Sequence, residues 1–389
     1  MKVLLATQQV IPHEGGLSTH MVDLAAGLER LGHEVRLIHG GQASGSGLAR
    51  IGRMAASLGN LDRYVCWSMG ALLRRLGVLL RREIEAFAPD LVHCHDPYAA
   101  ATAAGVIGSG SPPVVETVHG PALYEAQMGN SIRGPRHRNF ILDCEQRAFA
   151  AARRLIAVDS GQAAILRNDY GVDGSRITVI FNCVNVAEVR RLAAADSPLR
   201  PVEPFFLVPR RLVPKTGVRY AIEALARMQQ TNVRLVIAGQ GPLRGELEAL
   251  ANSLGLAGRT RFLGSVPRAQ LLPLFPRAAA VIVPSVPESG VVEATSLAVT
   301  EAMAAGTIPI ASNIGGLAEL IQNEQTGLLV PPADPGALAA AMAKALGDSP
   351  LRRRLLEGAK RKVEADYDTH AWLEKTIAVY RQALAEARN

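Results

Sequence analysis

A-V-I-V-P at residues 280–284, then, beyond a short polar turn, V-V-E-A-T-S-L-A-V-T-E-A-M-A-A-G at residues 291–306: an apolar strand feeding an Ala-rich helix, with a hydroxyl residue, Ser296, placed to cap it. The first backbone N–H groups of such a helix have no internal partner, and the helix dipole favours negative charge there, so the arrangement makes an anion site. Glu293 and Glu301 flank that site. Two carboxylates beside an anion are electrostatically costly unless they read hydroxyl groups. A ligand with a diphosphate in its middle and a polyol at each end, a nucleotide-sugar, satisfies both demands. The alternative is that Glu301 is an ordinary acid of the helix's early turns and Glu293 a loop residue.

The same strand-then-helix unit repeats outward in both directions. β-Branched runs are expected as strands over 2–7, 34–38, 91–95, 114–118, 155–158 and 178–180, and again over 205–208, 233–238, 261–263, 280–283, 308–311 and 328–330. Helical patterns fill the gaps, among them 17–31, 71–87 and 161–169, and close the chain over 335–346, 350–365 and 370–387. That alternation is the α/β pattern of parallel sheets. At 389 residues the chain is too long for one core, and roughly 150–200 residues per domain gives two. The A-A-D-S-P-L-R-P-V-E-P run, with three prolines, reads as the linker between them. The expected organisation is a Rossmann-like domain over 1–190, a linker over 191–204, and a second Rossmann-like domain over 205–369. Two doubly wound domains in tandem place a ligand crevice between the C-terminal edges of their sheets. The Gly- and Ser-rich stretch 40–59 reads as loop.

Composition excludes several classes. With 48 % hydrophobic residues the cores are ample, while 4 % aromatic residues do not furnish a nucleic-acid stacking platform. The net charge of +7 is not gathered in one patch, which suits local sites for anionic ligands rather than a nucleic-acid footprint. Two clusters stand out: Arg74, Arg75, Arg81 and Arg82, then Arg133, Arg136, His137 and Arg138. The first, interleaved with Leu72, Leu73, Leu76, Val78, Leu79 and Leu80, fits either an anionic membrane surface or a core helix with snorkelling arginines. Cys66, Cys94, Cys144 and Cys183 lack metal-ligand spacing and read as reduced cytoplasmic thiols. The N-terminal apolar run is too short for a signal peptide, and no run reaches the roughly 18 apolar residues of a membrane span.

Further constellations lie at strand ends. Gly15 and Gly16 open the first long helix, where glycine lets backbone approach a ligand closely; the spacing is not the G-x-G-x-x-G of dinucleotide enzymes. Arg210, Arg211 and Lys215 follow the first strand of the second half, and an Arg with a Lys suits a diphosphate. A-G-Q-G-P-L-R-G-E-L, containing Gly239 and Gly241, is a Gly-rich turn into a helix, able to cover a nucleotide or simply to turn. His95 and His119 end two strands of the first half, where a neutral imidazole could hydrogen-bond sugar hydroxyls or serve the fold.

Taken in order, these pieces resemble the family-four retaining glycosyltransferases of the two-Rossmann-domain, GT-B kind. The resemblance is carried by Gly15-Gly16, G-H-E-V at 32–35, P-D-L-V-H-C-H-D at 89–96, T-V-H-G at 117–120, R-R-L-V-P-K-T-G at 210–217 and G-Q-G-P at 239–242. It continues through F-L-G at 262–264, P-S at 284–285, the Glu293/Glu301 pair, E-A-M-A-A-G at 301–306 and G-G-L-A-E-L-I at 315–321. It implies a nucleoside-diphosphate sugar donor gripped by Arg211 and Lys215 at the diphosphate, by Glu301 at the ribose and by Glu293 at the transferred sugar. Amides around Ser296 and Leu297 lie against the phosphates, with Gly239, Gly241, Gly264 and Thr295 lining the donor. Gly15 and Gly16 close over it and His119 stands near the reacting sugar. The C-terminal helix over about 370–389 packs back on the first domain, and a hydroxyl acceptor enters from that domain.

Three departures matter. The family's E-G-F-G-L is here E-A-T-S-L; its lysine position holds Thr216, with Lys215 one residue early; and its N-G-V-D is here N-C-V-N over 182–185. A hydroxyl at Ser296 can still cap the helix. The implied chemistry stabilises a departing nucleoside diphosphate by preorganised electrostatics, with no metal and no cofactor, and no D-x-D sequence stands at the expected site. An epimerase of the same architecture and a non-catalytic glycosyltransferase-like subunit are the competing readings.

Overall fold

The computed structural model describes residues 1–12, 16–43, 61–108, 112–128, 130–199, 201–288, 293, 295–347 and 349–388. They divide into two compact units, Met1–Phe181 with Leu373–Asn389, and Asn182–Trp372. The segment 191–204, expected as a linker, falls inside the second unit. There Asn185 caps the helix Val186–Ala193 by accepting from Glu188 N–H, so the N-C-V-N run starts a helix.

In the first unit β1 (Lys2–Thr7), β2 (Glu34–His39), β3 (Leu91–Cys94), β4 (Val114–Val118), β5 (Arg154–Ala157) and β6 (Ile177–Val179) form one sheet in the order β2-β1-β3-β4-β5-β6. In the second, β7 (Phe205–Val208), β8 (Arg234–Ala238), β9 (Thr260–Gly264), β10 (Val281–Val283), β11 (Pro309–Ser312) and β12 (Leu328–Val330) pair as β12-β11-β10-β7-β8-β9. All pairings are parallel, and each expected strand is present with no end moved by more than one residue. The inner strands β3, β4, β7 and β10 are buried along their whole length. That is why they read as mainly apolar runs, interrupted only by His93 in β3 and by Glu116 and Thr117 in β4: helices cover both faces of such a sheet, and each buried Leu, Val or Phe contributes about 1.5–3 kcal/mol.

The helix expected over 71–87 begins ten residues earlier and runs Leu61–Phe87. Its added first turn has a purpose in the fold. The Asp62 carboxylate accepts from the Arg136 and His137 N–H groups, supplying the start of helix Pro135–Ala151 with the cap its own Gly134 cannot give. Leu76, Leu80 and Phe87 face the core, with Leu72, Leu73 and Leu79 packed beside them. Arg74, Arg75, Arg81 and Arg82 remain exposed, as do Trp67 and Val78. The loop expected over 40–59 lies mostly outside the described residues; Gly40–Ala43 form a short helix.

Candidate functional site

Strand order reverses at one place in each sheet: between β1 and β3 in the first unit and between β7 and β10 in the second. Adjacent strand ends there send their loops apart and leave room for a ligand.

In the second unit the residues following β7 and β10 meet. Arg210 Nη2 lies 2.8 Å from Glu293 Oε1. The same guanidinium donates to Ser285 Oγ and Ser296 Oγ, both at 3.0 Å, and Ser285 Oγ donates to Glu293 Oε2 at 3.4 Å. The two charged side chains are 11 % and 13 % exposed, so the pair is largely desolvated. Arg210 Nε is buried with no partner. Sequence reasoning favoured Arg211; the structure turns Arg211 and Lys215 outward and exposed, and brings Arg210 in. Thr216 is buried, its hydroxyl donating to the carbonyls of Arg211 and Val213 and so tightening the turn that carries Lys215.

Close backbone approach sets this direction. A Cβ on Gly239 would stand 1.9 Å from the Arg210 carbonyl oxygen, and one on Gly241 would stand 2.2 Å from that of Leu212. Leu212 N–H donates to Gln240 O, zipping the two strand-end loops together. Gly217, at φ 62°, approaches the Pro284 carbonyl in the same way, and Gly264 closes β9 at φ 73°.

Ser296 occupies the cap position of helix Leu297–Ala305, but its hydroxyl serves Arg210 and makes no capping hydrogen bond. The expected cap is therefore corrected: the helix start keeps no side-chain cap. Thr295 accepts from Asn182 Nδ2 at 2.9 Å. Glu301, further along the helix, accepts from Arg268 Nε at 2.8 Å, and Arg268 reaches Glu188 at 3.2 Å. Burial pushes the Glu301 carboxyl up from its ordinary value, and Arg268 opposes that rise. Neither Arg268 nor Ser285 was singled out as a partner from the sequence, because both meet the glutamates only through folding. A cavity of about 770 Å³ in this unit, lined by Tyr220, Leu243, Leu247, Leu250 and Val286, is bordered by none of Arg211, Lys215, Glu293 or Glu301.

In the first unit the strand ends gather histidines. Asp96 accepts from the Thr7 hydroxyl at 2.6 Å and from the N–H groups of Gln8 and Ala99, so it ties β1 to β3 and caps helix Pro97–Ile107. His93 is fully buried, bonded to Tyr380 Oη at 2.7 Å and Thr117 Oγ1 at 2.8 Å. Burial lowers its pKa to about 3, with His20 adding to the effect. His95 and His119 are also lowered well below the ordinary histidine value, first by burial. His95 Nδ1 lies 3.4 Å from His119 Nε2, and His20 from helix Gly16–Arg30 stands against both rings. His20 carried no signal in the sequence beyond lying on a helix face near Gly16. Gly15 lies outside the described residues, and Gly16 begins the helix.

Two family models cover most of the chain: "Glycosyltransferase Family 4" over residues 14–188 and "Glycosyl transferases group 1" over residues 190–362. The glycogen synthase of Mycobacterium tuberculosis is 28 % identical over 98 % of this chain and 95 % of its own. The D-inositol 3-phosphate glycosyltransferase of Acidothermus cellulolyticus is 31 % identical over 77 % of this chain and 68 % of its own. Among solved structures, Anabaena HepE in complex with UDP-glucose superposes with a TM-score of 0.69 at 18 % identity, covering 98 % of this chain and 100 % of that one. The two-unit α/β architecture is that of GT-B glycosyltransferases. The chain belongs to glycosyltransferase family four.

Proposed function

We propose that this glycosyltransferase moves a sugar from a nucleoside-diphosphate sugar to a hydroxyl acceptor, with retention at the anomeric carbon and without a metal in the transfer step. The observation that carries the reading is the meeting, at the switch point of the second sheet, of a guanidinium, a carboxylate and a helix start with no side-chain cap. Phosphate oxygens would take the helix N–H groups and the exposed Arg211 and Lys215, while Glu293 and Glu301 would accept from sugar and ribose hydroxyls. Preorganised positive charge of this kind stabilises a leaving diphosphate as its bond to the sugar breaks. The relative crystallised with UDP-glucose supports the donor class.

The acceptor side is assigned to the first unit, with His119 as a neutral hydrogen-bonding group. The exposed arginines of helix Leu61–Phe87, with Trp67 at 44 % and Val78 at 69 % exposure, support contact with an anionic membrane surface and hence a lipid-linked acceptor. No described helix is long and apolar enough to cross a membrane. The test is a panel of nucleotide-sugars scored for binding and slow hydrolysis in the absence of acceptor. Hydrolysis of one donor class with release of the nucleoside diphosphate is expected. Epimer formation, or no binding of any member, would overturn the reading.

A further inference from the structure

We propose that His20, His95 and His119 form a three-histidine site for a divalent zinc-type cation. One nitrogen from each ring can be chosen so that the three lie within 4.8 Å of one another. Tetrahedral zinc, with Zn–N of about 2.0–2.1 Å, sets its nitrogens about 3.3–3.4 Å apart and its imidazole centroids roughly 5 Å apart. His95 Nδ1 and His119 Nε2 are already 3.4 Å apart. The ring centroids are separated by 5.2 Å for His20–His95, 4.7 Å for His20–His119 and 5.7 Å for His95–His119. His20 stands edge-on to both rings, within reach to supply the third nitrogen.

The surroundings choose the ligands. His93 packs on His95 with centroids 4.2 Å apart, but both its nitrogens are taken by Tyr380 and Thr117, so it buttresses His95 and does not ligate. On His95 the nitrogen placed to ligate beside His119 is Nδ1; the other, Nε2, is buried with no hydrogen-bond partner, so protein contacts alone leave this ring unsatisfied. Imidazoles without a carboxylate favour zinc, copper or nickel over magnesium or calcium. Three protein ligands leave a fourth position for water or a small ligand.

The site shares His119 with the sugar-contacting role given above, and on that reading the two uses compete where both need the same ring nitrogen, since a nitrogen coordinating zinc cannot hydrogen-bond a hydroxyl. The ion is then an inhibitor of transfer rather than its cofactor.

The experiment uses the full chain, stripped with chelator, and titrates it with Co²⁺ and with Zn²⁺. The expected result is one ion per chain, the absorption bands of four-coordinate Co²⁺, and affinity at least tenfold weaker in His20→Gln and in His95→Gln than in the exposed control His370→Gln. Metal-free melting curves establish that each variant is folded. Should His95→Gln fail to fold, His20→Gln decides alone. Equal affinity in the His20→Gln and His370→Gln proteins, or octahedral Co²⁺ spectra, would overturn the site. Donor binding measured in chelator separates the two ideas: zinc bound without any nucleotide-sugar affinity sinks the donor reading and leaves the metal site standing.

Discussion

Arg210 and Glu293 form a salt bridge at 2.8 Å with both side chains almost wholly removed from water. Two serines add hydrogen bonds to the pair, and only the buried Arg210 Nε goes without a partner in this group. Removing one member strands the other. Arg210→Ala is expected to destabilise the second unit by about 3–5 kcal/mol, and the double substitution Arg210→Met, Glu293→Met by much less. Urea unfolding measures this; an Arg210→Ala midpoint equal to the parent's would show that the bridge is not formed in solution.

The same geometry separates the neighbouring arginines. Arg211 is exposed and uninvolved in the bridge, so Arg211→Ala is expected to leave stability within about 0.5 kcal/mol and to weaken donor binding at least tenfold, about 1.4 kcal/mol. Calorimetry with the preferred nucleotide-sugar reads the second effect. Unchanged affinity would move the diphosphate contact away from Arg211.

Glu301 is held by Arg268, which also reaches Glu188. Glu301→Ala is expected to abolish most donor affinity, since it removes the acceptor for the ribose hydroxyls. Arg268→Ala leaves the carboxylate in place but frees it to move, and a smaller loss of about threefold to tenfold is expected, following the roughly 0.5–1.5 kcal/mol of a positioning hydrogen bond. A larger loss in Arg268→Ala than in Glu301→Ala would reverse the two roles.

Glu116, paired in register with Cys94 and Leu155 at the centre of the first sheet, is fully buried, and both its carboxyl oxygens lack partners. Burial pushes its pKa well above the ordinary value, reinforced by Asp96 and Glu145. A carboxyl whose pKa is raised on folding binds its proton more tightly in the native state. Its cost is absent below the unfolded pKa and grows as pH rises above it. Glu116→Leu is therefore expected to stabilise the protein by about 1–3 kcal/mol at pH 8 and by clearly less at pH 5. Thermal unfolding at the two pH values checks it; an equal gain at both would assign the effect to packing instead of charge.

The exposed face of helix Leu61–Phe87 makes a prediction about surfaces. Sedimentation with vesicles containing anionic lipid is expected to exceed that with neutral vesicles, to fall with salt, and to fall in the Arg74→Glu, Arg81→Glu protein. Equal sedimentation on both vesicle types would remove the membrane contact and leave the arginines as solvated ends over a packed helix.

Much of the architecture was legible in the chain. Strands buried on both faces keep a mainly apolar character, so the β-branched β4 and β10 and the apolar β3 and β7 stand out between helical segments. The start of helix Leu61–Phe87 was not legible, because what recruits its first turn is the unsatisfied N–H groups of a helix more than seventy residues away. Ser296 fits a cap by type, yet its oxygen accepts from the guanidinium of Arg210 and makes no capping hydrogen bond.

The sequence by itself determined two parallel α/β units and the family they belong to, since periodicity and the order of short motifs are local properties. It also marked the helix that Glu293 precedes and Glu301 lies on. Only the tertiary structure decided that Arg210 rather than Arg211 turns inward, that Arg268 holds Glu301, and that His20 joins His95 and His119. Beyond the end of a strand, side-chain direction has no period to read. It is set by which backbone comes close, here the loop of Gly239 against the carbonyl of Arg210, and helix Gly16–Arg30 with the ends of β3 and β4 around three imidazoles.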